Sequence, residues 1–264
     1  MHEAAVKTAL ITGASSGIGA AYAHELAAQG YDLILVARRA DRLQALASEI
    51  RQDHDTGVEV LVGDLTRPLD MERVEERIAK CKALTLLINN AGFGIRGMFI
   101  ETDMNKNLNM IMVHVVASMR FTRAALPGMI ARRHGIIINI SSLAALIPLP
   151  GHATYCATKA YLITFSKTLA AELKGRGVKI QVLCPGFTTT GFHDSAEYQA
   201  TDVRAKIPKA LWMRADAVVK ESLRTLKGGK VLCVPGVRNR LMAAGGRLGL
   251  APLMANILMA RLPK

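Results

Sequence analysis

The chain has 264 residues, half of them hydrophobic, and a formal net charge of +13; the length suits one large α/β domain, and the composition excludes a disordered chain. Four widely separated cysteines, Cys81, Cys156, Cys184 and Cys233, lack metal-ligand spacing and read as reduced thiols, so no metal centre or disulfide framework is expected. No basic n-region with an apolar h-region opens the chain and no nucleic-acid module is visible, so a cytoplasmic protein that binds no nucleic acid is expected.

In chain order, apolar runs suited to buried parallel strands fall at 8–11, 33–37, 58–62, 84–89, 135–140, 179–183 and 230–234. Helical patterns fill the intervals at about 17–29, 40–53, 69–81, 103–132, 153–174 and 214–227. Gly30, Gly57, Gly135 and Gly177 stand at helix ends, where left-handed caps are expected. The repeated β–α order predicts one α/β domain over 1–234, a doubly wound (Rossmann) sheet of mostly seven parallel strands with helices on both faces. Ligands bind such sheets at the carboxyl ends of the strands.

After Val234 the pattern changes. Between Ser222 and Lys264 there are eight Lys or Arg residues and no acid. Residues 241–260 are apolar but interrupted by Gly245, Gly246, Arg247, Pro252 and Asn256, and a spanning helix needs about 20 predominantly apolar residues. The expectation for 235–264 is an extension packed on the domain or on a partner subunit, with weak contact to a membrane surface as the alternative.

Three segments carry chemistry. The first strand runs into Gly13, Ser15, Ser16, Gly17, Ile18 and Gly19, and a helical pattern follows at once. Glycines there let the backbone turn tightly and approach a pyrophosphate, while the helix N-terminus offers free N–H groups. The second strand ends at Ala37 with Arg38 and Arg39 after it. An acid at this point would bind a ribose 2′-hydroxyl; guanidinium forks suit a 2′-phosphate, so NADP(H) is expected, with Arg38 the main contact and Arg39 the second. Tyr155 and Lys159 are four apart on a predicted helix and share a face. An ammonium beside a phenol is expected to lower its pKa from about 10, towards the range where it can exchange a proton in a reaction.

With Ser142 thirteen residues before Tyr155, and Asn89-Asn90-Ala91-Gly92 between the glycine loop and that serine, the chain resembles the single-domain short-chain dehydrogenase/reductase family from about Val6 to Val234. The pattern is similar to 17β-hydroxysteroid-dehydrogenase-like and general bacterial members. The resemblance implies an oxidoreductase in which Ser142 hydrogen-bonds the substrate oxygen and Tyr155 gives or takes its proton. Lys159 would stabilise the phenolate and bind the nicotinamide ribose. It also implies that Asp64 and Leu65 lie near the adenine and that Asn90, Ala91 and Gly92 line the cofactor. Pro185, Gly186, Thr188 and Thr190 would embrace the nicotinamide. Homodimers or homotetramers through the helices at 103–132 and 153–174 are implied as well.

One position departs from the pattern. His114 stands where many members have an asparagine linked to a water relay that reaches the lysine. A neutral imidazole can hold a water as donor and acceptor, so His114 is expected either to keep that relay and add pH sensitivity or to be a packed core histidine. The substrate side is expected from Phe93, Gly94, 143–150 and a loop at about 187–213. Leu146, Ile147, Leu149, Phe192, Trp212 and Met213 would make it apolar, with no obvious carboxylate or phosphate clamp. An apolar ketone or secondary alcohol follows as substrate, in a reversible NADPH-dependent carbonyl reductase. The alternatives are a weakly catalytic NADP(H)-sensing relative and a reductase of lipids at a membrane surface.

Overall fold

In the computed structural model, residues 7–190, 207–246 and 248 are described here. Seven parallel strands form one sheet in the order β3-β2-β1-β4-β5-β6-β9. They are β1 (Lys7–Thr12), β2 (Tyr31–Ala37), β3 (Val58–Val62), β4 (Leu84–Asn89), β5 (Gly135–Ile140), β6 (Val178–Leu183) and β9 (Leu232–Cys233). Strand order reverses between β1 and β4, and a crevice opens there at the carboxyl ends of both. The expected doubly wound sheet is therefore present.

Side-chain alternation along each strand feeds two cores. Ala9 and Ile11 of β1 point with Leu33, Leu35, Leu86, Ile88 and Ile138 into one core. That layer is closed by Tyr22, Leu26, Leu43, Ile50, Val218 and Val219 from α1 (Gly17–Ala27), α2 (Ala40–Asp53) and α7 (Ala215–Lys227). Leu10, Ile34, Leu87, Ile137 and Ile180 point the other way. They meet Met71, Val74, Phe121, Met129 and Leu169 of α3 (Pro68–Lys80), α5 (Ala117–Ala131) and α6 (Ala153–Glu172).

The helix expected over 103–132 is divided. α4 (Met104–Ile111) passes into one π-helical turn, Met112–Val116, before α5 begins. An extra residue in a helical turn opens the hydrogen-bond ladder, a feature frequent at functional sites, and His114 is in it. Of the four glycines expected as left-handed caps, Gly30 and Gly177 have positive φ, and Gly57 and Gly135 do not. Gly57 instead makes room for the Asp32 carboxylate, and Gly135 for Met129.

The seventh strand is shorter than expected, and three elements near it escaped the periodicity. A two-residue strand β7 (Thr188–Thr189) pairs in parallel with β8 (Met213–Arg214); runs that short carry no pattern. α8 (Val237–Gly245) then packs back on the domain. Its Asn239 and Ala243 are buried, whereas Val237 and Leu241 are exposed. Gly246 lies against Leu146, where a Cβ would come within 2.5 Å of the carbonyl oxygen. Residues 249–264 and Phe192 lie outside the described residues. Among the described residues no helix is long and apolar enough to cross a membrane.

Candidate active site

A cavity of about 970 Å³ lies along the carboxyl ends of the strands. Its floor is backbone. Gly13 and Gly17 have φ of 66° and 61°, a region that side chains strain to adopt. A Cβ on Gly13 would sit 2.8 Å from Ala91 Cα, and one on Gly19 would run into the Gly13 carbonyl oxygen and the Asn90 amide. The glycine loop and the Asn90–Gly92 segment thus lie directly on each other. Thr12 fastens them. Its hydroxyl accepts from the N–H groups of Asn90 (2.9 Å) and Ala91 (3.0 Å), and Asn90 Nδ2 donates back to the Thr12 carbonyl at 2.9 Å. Ser16 caps α1 without a side-chain bond to its N–H groups, so that positive helix end faces the cavity for an anion.

At one end of the cavity stand Arg38, Arg39 and Arg42. Arg39 Nη2 donates to both Ser15 Oγ and Ser16 Oγ at 2.9 Å. Burial first, then the neighbouring Arg42 and Arg38, push its pKa down. Arg38 Nη1 turns towards Asp64, 3.9 Å from Oδ2. Asp64 Oδ1 in turn accepts from Thr66 N and Thr66 Oγ1, at 3.0 and 2.9 Å. Arg42 was not among the expected residues. It lies three after Arg39, one helical turn away, and that spacing was the available signal.

At the other end, β5 leads into Ser142, and α6 supplies Tyr155 and Lys159. Ser142 Oγ accepts from Ala144 N at 3.2 Å and lies beside Tyr155, where it pulls the phenol pKa down. Lys159 is buried, with Nζ donating to the Ile140 carbonyl at 2.9 Å and 5.7 Å from the Tyr155 ring centroid. The expected lowering of the Tyr155 pKa is not what this environment produces. Burial raises it to about 12, against a smaller pull downward from Ser142. Burial likewise lowers Lys159 to about 8. Desolvation acts on both charged forms, so the phenol holds its proton firmly and the ammonium loses its own more readily.

His114 is almost fully buried, at 1% exposure. Its Nε2 accepts from Phe93 N at 3.0 Å, and its Nδ1 is 2.9 Å from Thr158 Oγ1. Both ring nitrogens are thus engaged by protein groups rather than open to a water. Burial first, and the Lys159 ammonium second, hold its pKa well below the ordinary value.

Pro185 and Gly186 follow β6. The Pro185 carbonyl accepts from Leu143 N at 2.8 Å, tying this segment to the serine turn. Thr188 Oγ1 donates to the Gly186 carbonyl at 3.1 Å, and Thr190 closes over the glycine loop, where a Gly17 Cβ would be 2.8 Å from Thr190 Cβ. Sequence reasoning missed what supports Gly186. Asn239 of α8 lies so close that a Gly186 Cβ would be 2.5 Å from Asn239 Oδ1.

The apolar wall is partly as expected. Phe93, Leu143, Ile147, Leu149 and Phe187 line the cavity, with Ile95 and Met242 added. Leu146, Trp212 and Met213 are not in the lining. Leu146 joins the core beneath α8, Trp212 backs Phe187 with ring centroids 5.5 Å apart, and Met213 packs into the core beside α7. The lining also contains Arg96, Lys106, Asn109 and His152, so it carries more charge than the apolar segments implied.

The comparisons with known proteins agree with this geometry. The family model described as short chain dehydrogenase matches residues 7–200, and the chain belongs to that family, whose members are oxidoreductases using a nicotinamide cofactor. It is 34% identical over 228 residues to 17-beta-hydroxysteroid dehydrogenase type 3 of Mus musculus, which covers 85% of this chain and 70% of that one. It is 35% identical over 187 residues to the very-long-chain 3-oxoacyl-CoA reductase of Anas platyrhynchos, covering 69% and 60% of the two chains. Among solved structures, a short-chain dehydrogenase from Sphingobium yanoikuyae in complex with NADPH superposes with a TM-score of 0.83 at 36% identity, covering 93% and 94%. A bulky-bulky ketone specific alcohol dehydrogenase from Comamonas testosteroni gives 0.79 at 30%, with the same coverage.

Proposed function

We propose that the protein is an NADP(H)-dependent carbonyl reductase that interconverts a bulky apolar ketone and its secondary alcohol. The observation that carries this reading is one cavity with arginines at one end and Ser142, Tyr155 and Lys159 together at the other. The glycine floor fits a pyrophosphate, because side chains at Gly13, Gly17 and Gly19 would fill the space it needs. Arg38, Arg39 and Ser15 would hold a 2′-phosphate, and Pro185, Gly186, Thr188 and Thr190 would flank the nicotinamide. Asp64 and Leu65, with Asn90, Ala91 and Gly92, would line the adenosine side. When bound, the reduced nicotinamide supplies a hydride to the carbonyl carbon.

The chain does the rest. Ser142 donates a hydrogen bond to the carbonyl oxygen and fixes the ketone. Tyr155 passes its proton to that oxygen as the C–H bond forms, and an alcohol results. A phenol with a pKa near 12 is fully protonated at neutral pH, which suits the reductive direction. Lys159 stabilises the phenolate left behind. The apolar wall of Ile147, Leu149, Phe187 and Met242 suits a large ring system or a long acyl chain. The steroid, 3-oxoacyl-CoA and bulky-ketone names of the relatives support the same class. A cytoplasmic homodimer or homotetramer through α4, α5 and α6 completes the proposal. Met104, Leu108, Ile111 and Met119 are exposed along that helix and support such an assembly.

One relative at 33% identity is an inactive hydroxysteroid dehydrogenase-like protein of Homo sapiens, so turnover has to be measured. NADPH oxidation is followed against bulky ketones and long-chain 3-oxoacyl thioesters, for wild type and Tyr155→Phe. The variant is expected to lose about 10²–10⁴-fold in kcat with its NADPH Kd unchanged. Equal turnover in Tyr155→Phe would overturn the mechanism. NADPH binding without turnover of any ketone would favour a cofactor-sensing protein.

A further inference from the structure

We propose that His114 is a positioning residue rather than a proton carrier: a permanently neutral strut that joins the cofactor bed to the catalytic helix through a chain of direct hydrogen bonds. The inference rests on the reading of Tyr155 and Lys159 as the catalytic pair. The chain is short and its directions are forced. Phe93 N–H donates to Nε2, so that nitrogen offers its lone pair and carries no proton. The proton of the neutral ring is therefore on Nδ1, which donates to Thr158 Oγ1 at 2.9 Å. The Thr158 hydroxyl, its oxygen thus engaged, donates to the Tyr155 carbonyl at 2.8 Å. Backbone of the segment after β4 is in this way tied to the turn of α6 that carries the phenol.

The same bonds close the ring to proton traffic. A relay through imidazole needs one nitrogen to take a proton while the other releases one. Nε2 faces a backbone amide, which keeps its proton. A second proton on the ring would set N–H against N–H and place a cation near Lys159. A Cβ on Gly92 would lie 2.7 Å from Nε2 and 3.5 Å from Lys159 Nζ, which shows how near the two groups are. Among the described residues the titratable groups around the ring are Tyr155, uncharged as a phenol, and Lys159, whose ammonium disfavours imidazolium, both on α6. Edge-on contacts complete the fit, with ring centroids 5.9 Å from Phe93 and 5.8 Å from Tyr155. The π-helical turn at Met112–Val116 is where the helix admits this ring between β4 and α6.

The first test reads the ring itself and needs no turnover. Histidine ring ¹⁵N–¹H correlation spectra are recorded from pH 5.5 to 8 on wild type, with the His114 signal assigned by its loss in His114→Asn. The expected result is an Nδ1–H tautomer that does not titrate. An Nε2–H tautomer, or titration near pH 6.5, overturns the proposal. The second test is a double-mutant cycle of His114→Phe and Thr158→Val read as kcat for ketone reduction. Each substitution is expected to cost about tenfold, and the pair no more than the worse single, because both break one chain. Fully additive losses overturn it. Turnover by Tyr155→Phe sinks the catalytic reading instead, while the spectrum still decides the state of the ring.

Discussion

The half of the crevice proposed to hold the cofactor and the half proposed to face the substrate are built by different means. In the first, from β1 to β4, the working surface is backbone: Gly13, Gly17, Gly19 and Asn90–Gly92 touch one another, and Thr12 pins them. In the second, from β5 to α8, the surface is made of side chains from distant segments, with Phe187 backed by Trp212. A backbone surface tolerates almost no change and is carried by a short motif. A side-chain surface can be rebuilt by small substitutions, which is how one fold serves many substrates.

The comparison can be broken most sharply at Gly19. Gly19→Ala puts a methyl group into the Gly13 carbonyl oxygen and the Asn90 amide. Overpacking against rigid backbone costs about 1–3 kcal/mol, and NADPH affinity is expected to fall by up to about 100-fold on calorimetric titration. Unchanged affinity would mean that the floor is less rigid than its contacts imply. Next comes the arginine end. Removing both guanidiniums in Arg38→Ala/Arg39→Ala is expected to weaken NADPH about 10–100-fold, since hydrogen bonds to charged groups contribute about 1.5–3 kcal/mol. NADH binding should hardly move; an equal loss for both would assign the arginines to the loop rather than to a 2′-phosphate. On the substrate side, Phe187→Ala is expected to raise KM for bulky ketones about tenfold through lost apolar contact, with the NADPH Kd within about twofold. A cofactor defect of the same size would erase the distinction between the two halves.

The mildest test is pH. Lys159 is lowered from 10.5 to about 8, so the ammonium that the proposed mechanism needs is half lost at pH 8 and falls about tenfold per unit beyond it. kcat/KM for reduction should descend along that limb. A profile flat to pH 10 would show that Lys159 keeps its proton in the working enzyme. The same group makes a stability statement of opposite sign. Between about 8 and 10.5 the unfolded chain binds more protons at this site, so its contribution to stability rises with pH across that window. The buried ammonium costs stability at the position where the proposed mechanism uses it.

What was legible in the sequence follows the same division. The sheet, its helices and the glycine floor depend on neighbours close in sequence and on apolar periodicity. Arg42, Arg96 and Lys106 enter the cavity from helix starts and a loop whose positions only the folded sheet defines. Leu146, Trp212 and Met213 looked like pocket residues because they are apolar and near the site, but each packs behind the wall. The pKa of Tyr155 was misjudged because spacing reveals a lysine one turn away and says nothing of burial, the larger effect here. The two bonds of His114 reach 21 and 44 residues along the chain, beyond any local pattern.

Asn239 bears on how the molecule is made as well as on how it works. Strands β1 to β4 and their helices leave the ribosome first and can pack as a unit, since their contacts are already within reach. The segment after β6 is completed only when α8, more than fifty residues further on, arrives to back Gly186. On the proposed function, the crevice is thus assembled from its adenosine end towards its chemical end, and a helix synthesised late closes the second.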